Sequence, residues 1–111
     1  MKSQATNHDI QISDVFRSDK GGRLVTVIEA APKVLFEGTT TARMTATPRN
    51  FLKGRTLIER GGIRVGDVRG SCEVVHIRED GATIRRGEST DWVTLDYLST
   101  LPLLERDGKV V

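Results

Sequence analysis

The stretch that decides the fold runs from Glu73 to Arg85 and reads EVVHIREDGATIR. Two β-prone runs flank Asp80-Gly81, a dipeptide typical of a tight hairpin turn. Val75 and Ile77 alternate with polar residues before the turn, and Ile84 follows it, so we expect one face of this segment to be buried. The stretch predicts an antiparallel β-hairpin.

The rest of the chain repeats this pattern of short β-prone runs separated by turn signals. Residues 23–28, RLVTVI, are the clearest strand, and a second hairpin is predicted over residues 56–65 with Gly61-Gly62 at its tip. A threonine-rich strand is predicted over residues 39–47, and Pro48 ends it because proline cannot donate to a β-ladder. Short strands with turns at this frequency predict an all-β fold, either a barrel or a sandwich.

Residues 91–101 admit two interpretations. One is a short helix with an apolar residue at every third position: Trp92, Leu95, Leu98 and Leu101. The other is a strand over residues 92–95 followed by one helical turn over residues 96–98. The β-rich neighbourhood favours the strand.

The two halves of the chain share an order of landmarks. Asp14-Val15 corresponds to Asp67-Val68, residues 22–27 correspond to residues 70–75, and Asn50-Phe51-Leu52 corresponds to Asp96-Tyr97-Leu98. Such a unit has the size of a small SH3-like β-barrel, with one or two short helical turns. Three interpretations stay open after a flexible tail at residues 1–9: two related barrel-like halves at 10–58 and 59–111, one merged barrel at 10–111, or chance similarity.

Composition excludes several classes of protein. The chain has 111 residues and one cysteine, so it forms no intramolecular disulfide. Its N-terminus lacks an apolar signal-peptide region, and no segment approaches the roughly 20 apolar residues of a membrane span. We therefore expect a soluble, cytoplasmic protein without membrane contact, comparable to small bacterial or phage proteins.

Catalytic and metal-binding patterns are weak. Cys72 and His76 are four residues apart on a predicted strand, which places both on one face but about 13 Å apart. They could not share a proton, and His8 is the only other histidine. The glycine pairs at 21–22 and 61–62 are too short for a phosphate-binding loop and suit hairpin tips. We expect no enzymatic activity, cofactor, metal or small-molecule substrate.

The charge distribution gives the main functional hypothesis. Between Gly38 and Arg64 the chain carries one acid and six basic residues, namely Arg43, Arg49, Lys53, Arg55, Arg60 and Arg64. Basic side chains neutralise phosphates, and the neighbouring threonines can donate to them. The sequence predicts a non-enzymatic binding module that contacts a nucleic acid or nucleoprotein through these residues. The alternative is a protein-interaction or structural accessory subunit that docks or self-associates through β-edges.

Overall fold

The computed structural model describes residues 10–38 and 42–111. In these residues it has the following strands and helices: β1 Val15–Ser18, β2 Leu24–Glu29, β3 Val34–Gly38, β4 Met44–Ala46, α1 Pro48–Leu52, β5 Arg55–Arg60, β6 Ile63–Arg64, β7 Val68–Arg69, β8 Cys72–Arg78, β9 Gly81–Arg86, β10 Ser89–Thr94, α2 Leu95–Ser99, β11 Leu103–Arg106 and β12 Lys109–Val110. The all-β prediction is confirmed, as are the short helical turns. Within the described ranges no helix is long and apolar enough to cross a membrane.

The strands form two antiparallel sheets with the same order. The first sheet runs β4-β3-β2-β1-β5-β6 and the second runs β10-β9-β8-β7-β11-β12, so each strand of the second follows its counterpart by six in the numbering. Among the described strands neither sheet closes on itself, because the strands at its two ends do not pair with each other. An SH3-like barrel is therefore not confirmed.

The chain divides into two compact units, Met1–Ile58 and Glu59–Val111. The first unit has a core built from Ile10, Phe16, Val27, Val34, Phe36 and Phe51. The buried apolar side chains of the second unit are Ile63, Cys72, Val74, Ile77, Ala82, Ile84 and Leu98. Whether each unit folds as a separate domain stays a prediction.

One turn occurs at the start of both sheets. Asp14 and Asp67 are buried, and each carboxylate accepts a hydrogen bond from the backbone N–H three residues earlier, at 2.7 Å and 3.1 Å respectively. The carbonyl of each aspartate accepts from a valine of the next strand, Val27 or Val74, at 2.9 Å in both cases. The residue before each aspartate has a positive φ. The correspondence predicted between Asp14 and Asp67 is therefore present in the structure.

Further along, the two sheets share a β-bulge and a capped helix. The register shifts between Val27 and Glu29 in β2, and between Val74 and His76 in β8. Each helix begins after a threonine whose side chain accepts from the backbone, Thr47 for α1 and Thr94 for α2. The single buried side chains are Phe51 in α1 and Leu98 in α2. The two sheets are thus two copies of one arrangement.

The bulge in β8 corrects two predictions. After the extra residue, the alternation of side chains between the two faces of the strand is shifted by one. Cys72 is therefore buried while His76 is exposed, and the two do not share a face. For the same reason Val74, not Val75, joins Ile77 in the core, and Val75 is 38% exposed. Even spacing along a strand predicts a common face only where the register is continuous.

Two further predictions need correction. The turn between β8 and β9 is Glu79-Asp80, and Gly81 already belongs to β9. The strand predicted over residues 39–47 is shorter: residues 39–41 lie outside the described residues, and β4 covers Met44–Ala46 only. Pro48 does end it, because it opens helix α1, where its missing N–H costs no hydrogen bond. Over residues 91–101 the strand followed by a helical turn is the arrangement observed.

Candidate functional site

The first unit contains a cleft of about 750 Å³. It is lined by residues of the β1–β2 hairpin, of β3 and β4, and of the start of β5: Ser18, Lys20, Gly21, Arg23, Leu24, Val25, Phe36, Gly38, Met44 and Arg55. A volume of this size suits a small ligand or a short segment of a larger one. We call this feature the cleft.

The charge in the cleft has one sign. Lys20, Arg23 and Arg55 line it, and no acidic residue is among its lining residues. Two apolar side chains of the lining are exposed to solvent, Leu24 by 40% and Met44 by 52%. A cationic surface beside exposed apolar side chains favours a ligand that carries both negative charge and an apolar part.

Arg55 is held in the cleft by aromatic rings. Its guanidinium carbon lies 5.0 Å from the ring centroid of Phe36 and 4.7 Å from that of Phe51, within the range of a cation–π interaction. Its Nη1 also donates to the backbone oxygen of Phe51 at 2.9 Å. These contacts fix the direction of the guanidinium, so part of the cleft's positive charge is preorganised.

The hairpin that supplies Lys20 and Arg23 is fixed as well. The backbone N–H of Asp19 donates to the oxygen of Gly54 at 2.8 Å, and the hydroxyl of Thr56 donates to the Asp19 carboxylate at 2.6 Å. Gly21 and Gly22 have positive φ values at the tip of the hairpin, as their sequence predicts. The loop is thereby fastened to the segment that carries Arg55.

This hairpin is longer than its counterpart in the second unit. Phe16 pairs with Val25 in the first sheet, and eight residues, 17–24, connect them. Arg69 and Cys72 are the equivalent pair in the second sheet, connected only by Gly70-Ser71. In the second unit two residues are enough to join the equivalent pair, so the longer hairpin end, made of the ends of β1 and β2 and the turn between them, is particular to the first unit. Half of the residues that line the cleft come from it, namely Ser18, Lys20, Gly21, Arg23 and Leu24.

The structure brings the six basic residues predicted from sequence to different environments. Arg43, Arg49 and Lys53 are exposed in the first unit, and Nε of Arg43 pairs with Glu37 at 3.2 Å. Only Arg55 lines the cleft. The assignment of the six to a nucleic acid stays a prediction.

Arg60 and Arg64 belong to the second unit and have structural partners there. Arg60 is 3% exposed, and its Nη1 donates to the oxygen of Glu79 at 2.7 Å. Arg64 pairs with Glu59 at 2.7 Å and with Asp107 at 2.9 Å, and the hydrogen bond to Glu59 raises the pKa of Arg64. A buried or doubly paired guanidinium is poorly placed to neutralise a phosphate.

Lys20 and Arg23 were not singled out by the sequence analysis. Their signal was the segment Asp19–Arg23, DKGGR, which places one cation on each side of a glycine pair. A glycine pair alone indicates only a turn, and the cleft depends on strands distant in sequence. Across the described ranges, no group of three or more histidine, cysteine, aspartate or glutamate residues is placed to hold a metal ion.

Comparisons with protein families, with curated proteins and with solved structures each found no match to this chain.

Proposed function

We propose that this protein is a non-enzymatic binding module whose first unit holds a nucleic acid in the cleft. The observation that carries the proposal is the trio Lys20, Arg23 and Arg55, which lines a cleft without acidic residues. Two of the three stand on a loop that the second unit does without. The second unit forms the same arrangement without this hairpin end. Lys20 and Arg23 are therefore not required for the fold and are available for binding.

A nucleic acid fits the mixture of groups better than a simple anion. Phosphates would pair with the cations, while Leu24 and Met44 offer exposed apolar contact to a sugar or base. The lining holds one hydroxyl group, that of Ser18, and neither a histidine nor a carboxylate to act as its base. This composition supports binding rather than nucleophilic catalysis. The proposal needs only the open antiparallel sheet; the SH3-like barrel and the cytoplasmic location stay predictions.

Charge reversal in the cleft should weaken binding of a single-stranded oligonucleotide. For Lys20→Glu with Arg23→Glu, we expect the affinity at low salt to fall about tenfold or more, because two phosphate contacts become repulsive. The slope of log Kd against log salt should also fall by about 1.4, because each phosphate contact with a single strand contributes about 0.7. Fluorescence anisotropy of a labelled oligonucleotide at several salt concentrations measures both. Arg55 is left intact because it also packs on Phe36 and Phe51.

A matched control carries the same change of charge on residues that do not line the cleft. Lys33 precedes β3, at the opposite strand end from Gly38, and Lys109 lies in β12 of the second unit; both are exposed and neither lines the cleft. Lys33→Glu with Lys109→Glu should change the affinity by no more than about threefold. Equal losses in both double variants would contradict a localised site. Absence of binding by the unmodified protein in low salt would exclude the function altogether.

Shortening the hairpin tests the same site without reversing a charge. Residues 17–24 are replaced by Gly-Ser, the two residues that close the equivalent hairpin of the second unit. We expect the far-ultraviolet circular dichroism spectrum to be retained and oligonucleotide binding to be lost. Retention of both would show that binding takes place elsewhere.

The second candidate function is docking of a protein at a β-edge, and one observation favours it. Strand β10 is six residues long and lies at an edge of the second sheet. Its outer backbone groups could pair with another strand. Size-exclusion chromatography at two salt concentrations separates the candidates, because strand addition persists at high salt whereas phosphate binding weakens.

A further inference from the structure

The second unit has an exposed tryptophan lying on its sheet. Trp92 of β10 is 48% exposed, and its six-membered ring lies directly over Gly81 of β9. A methyl group at Gly81 would overlap this ring, so glycine is required here by the indole and not by the turn. The close approach leaves the opposite face of the ring available to a ligand.

An exposed cation stands on the strand next to the one beneath this ring. Gly81 pairs in register with Arg78 of β8 on one side and with Thr94 of β10 on the other. Neighbouring strands are about 5 Å apart, so the Arg78 side chain starts one strand away from the backbone beneath the indole. Arg78 is exposed and has no ion-pair partner among the residues that the structure describes. It is placed to meet an anionic group beside a ligand on the ring.

Arg85 adds a second cation to the same face. It follows Thr83 by two positions in β9, and Thr83 pairs with Trp92, so the side chains of all three point to one side of the sheet. Arg85 is paired with Glu73 at 3.1 Å, and both partners are about half exposed. An exposed pair of this kind is weak, so a phosphate can compete for the guanidinium.

The fold itself does not require this tryptophan. In the first sheet Leu35 pairs with Thr45 at the position where Thr83 pairs with Trp92 in the second. Val27 and Val74 occupy equivalent positions at the two β-bulges and pair with Phe36 and Ile84 respectively. Leu35 and Thr83 directly precede these two partners and are therefore equivalent as well. The same arrangement therefore forms with threonine in place of tryptophan, which makes an exposed indole a feature particular to the second unit.

We propose that Trp92 is a stacking platform for an unpaired base of a single-stranded nucleic acid, with Arg78 neutralising the adjacent phosphate. This rests on the proposed function and assigns to the second unit a contact of its own with a single strand. An exposed indole stacks on any base, and the neighbouring cations favour a charged strand over a neutral sugar. In a duplex the bases are already stacked on one another, so the platform selects single strands.

The emission of Trp92 tests this directly, because the chain contains one tryptophan. Titration with an unlabelled oligonucleotide of about 12 nucleotides should quench the emission and saturate at the Kd obtained by anisotropy. A duplex of the same sequence should leave the emission unchanged. Trp92→Thr, the residue of the first sheet, should lower the affinity by about 5- to 100-fold, while Trp92→Phe should stay within about threefold of the unmodified protein.

The results separate this inference from the proposed function. Oligonucleotide binding that depends on Lys20 and Arg23 but leaves the emission of Trp92 unchanged would overturn the platform and keep the cleft. Quenching by a neutral oligosaccharide and not by the oligonucleotide would also overturn it. No binding of any nucleic acid would overturn both. Should Trp92→Thr fail to fold, Arg78→Glu keeps the indole and should still lower the affinity about fivefold or more.

Discussion

Replacement of Asp67 with asparagine should lower the free energy of unfolding by about 3–5 kcal/mol. The Asp67 side chain is 0% exposed and accepts from Nε of Arg106 at 2.9 Å and from Nη2 at 2.7 Å. The backbone N–H of Arg64 donates to the same carboxylate at 3.1 Å, and Arg69 lies 3.7 Å away. An amide would remove the buried charge that Arg69 and Arg106 share and turn an N–H₂ group toward a donor. Urea unfolding followed by circular dichroism measures the loss.

A control in the same unit is Asp107→Asn. Its carboxylate also binds an arginine, Arg64, at 2.9 Å, but the Asp107 side chain is 63% exposed. An exposed ion pair contributes about 0–1 kcal/mol, so this variant should remain close to the unmodified protein. Equal effects of the two substitutions would show that burial of Asp67 does not set its contribution.

The same carboxylate predicts a dependence on pH. Burial by itself raises the pKa of Asp67, but the hydrogen bonds from Arg106 and Arg64 and the charges of Arg106 and Arg69 outweigh it, and the pKa lies below its usual value. The unfolded chain therefore takes up the proton first, near pH 3.9. The stabilisation is complete above that pH and is lost as the pH falls through the lowered pKa of the folded state. The difference between the unmodified protein and Asp67→Asn should shrink accordingly in acid.

The hairpins could be predicted from sequence because their signals are local. Gly61-Gly62 between two β-prone runs indicates a tight turn without reference to the rest of the chain. The bulge in β8 has no local sequence signal. It is a shift in register between Val74 and His76 relative to β9, so it can be recognised only from the pairing of the two strands. The error over Cys72 and His76 follows from this one extra residue.

The sequence revealed only part of the repeat, because the spacing between equivalent residues of the two halves is not constant. The sequence aligned Phe51 with Tyr97, whereas in the structure the buried Leu98 is the equivalent of the buried Phe51, and Tyr97 is 44% exposed. The longer β1–β2 hairpin shifts every correspondence that lies across it. Near the end of each half the sequence match is closer: residues 57–62, LIERGG, match residues 103–108, LLERDG. In the structure these segments are the hairpins β5–β6 and β11–β12.

The sequence predicted one property of the candidate site, its positive charge. Sequence identifies the central segment as basic, but burial decides which of its side chains can meet a ligand. Arg60 and Arg64 form internal contacts, while Arg55 reaches the cleft because two phenylalanine rings hold it there. The other two cations of the cleft come from a loop outside that segment, which only the tertiary structure brings close to Arg55.

Phe51→Ala should cost about 3–5 kcal/mol of stability, because it removes the ring on which the core of the first unit converges. Phe51 is 0% exposed, its centroid lies 4.9 Å from those of both Phe16 and Phe36, and Arg55 lies over its ring at 4.7 Å. The control is Leu52→Ala in the same helix, where the side chain is only half buried and the loss should be smaller.

The consequence of Phe51→Ala should extend to binding. Without its second ring, the guanidinium of Arg55 loses the contact that directs it into the cleft, so oligonucleotide affinity should fall even in the fraction of protein that is folded. Anisotropy at a temperature well below the unfolding transition measures this, with Leu52→Ala as the reference. A variant that loses stability but binds like the reference would show that Arg55 needs only Phe36 and the cleft's own charge. Loss of both stability and affinity would show that the core and the cleft depend on the same side chain, since Phe51 packs in the core and also orients the guanidinium of Arg55.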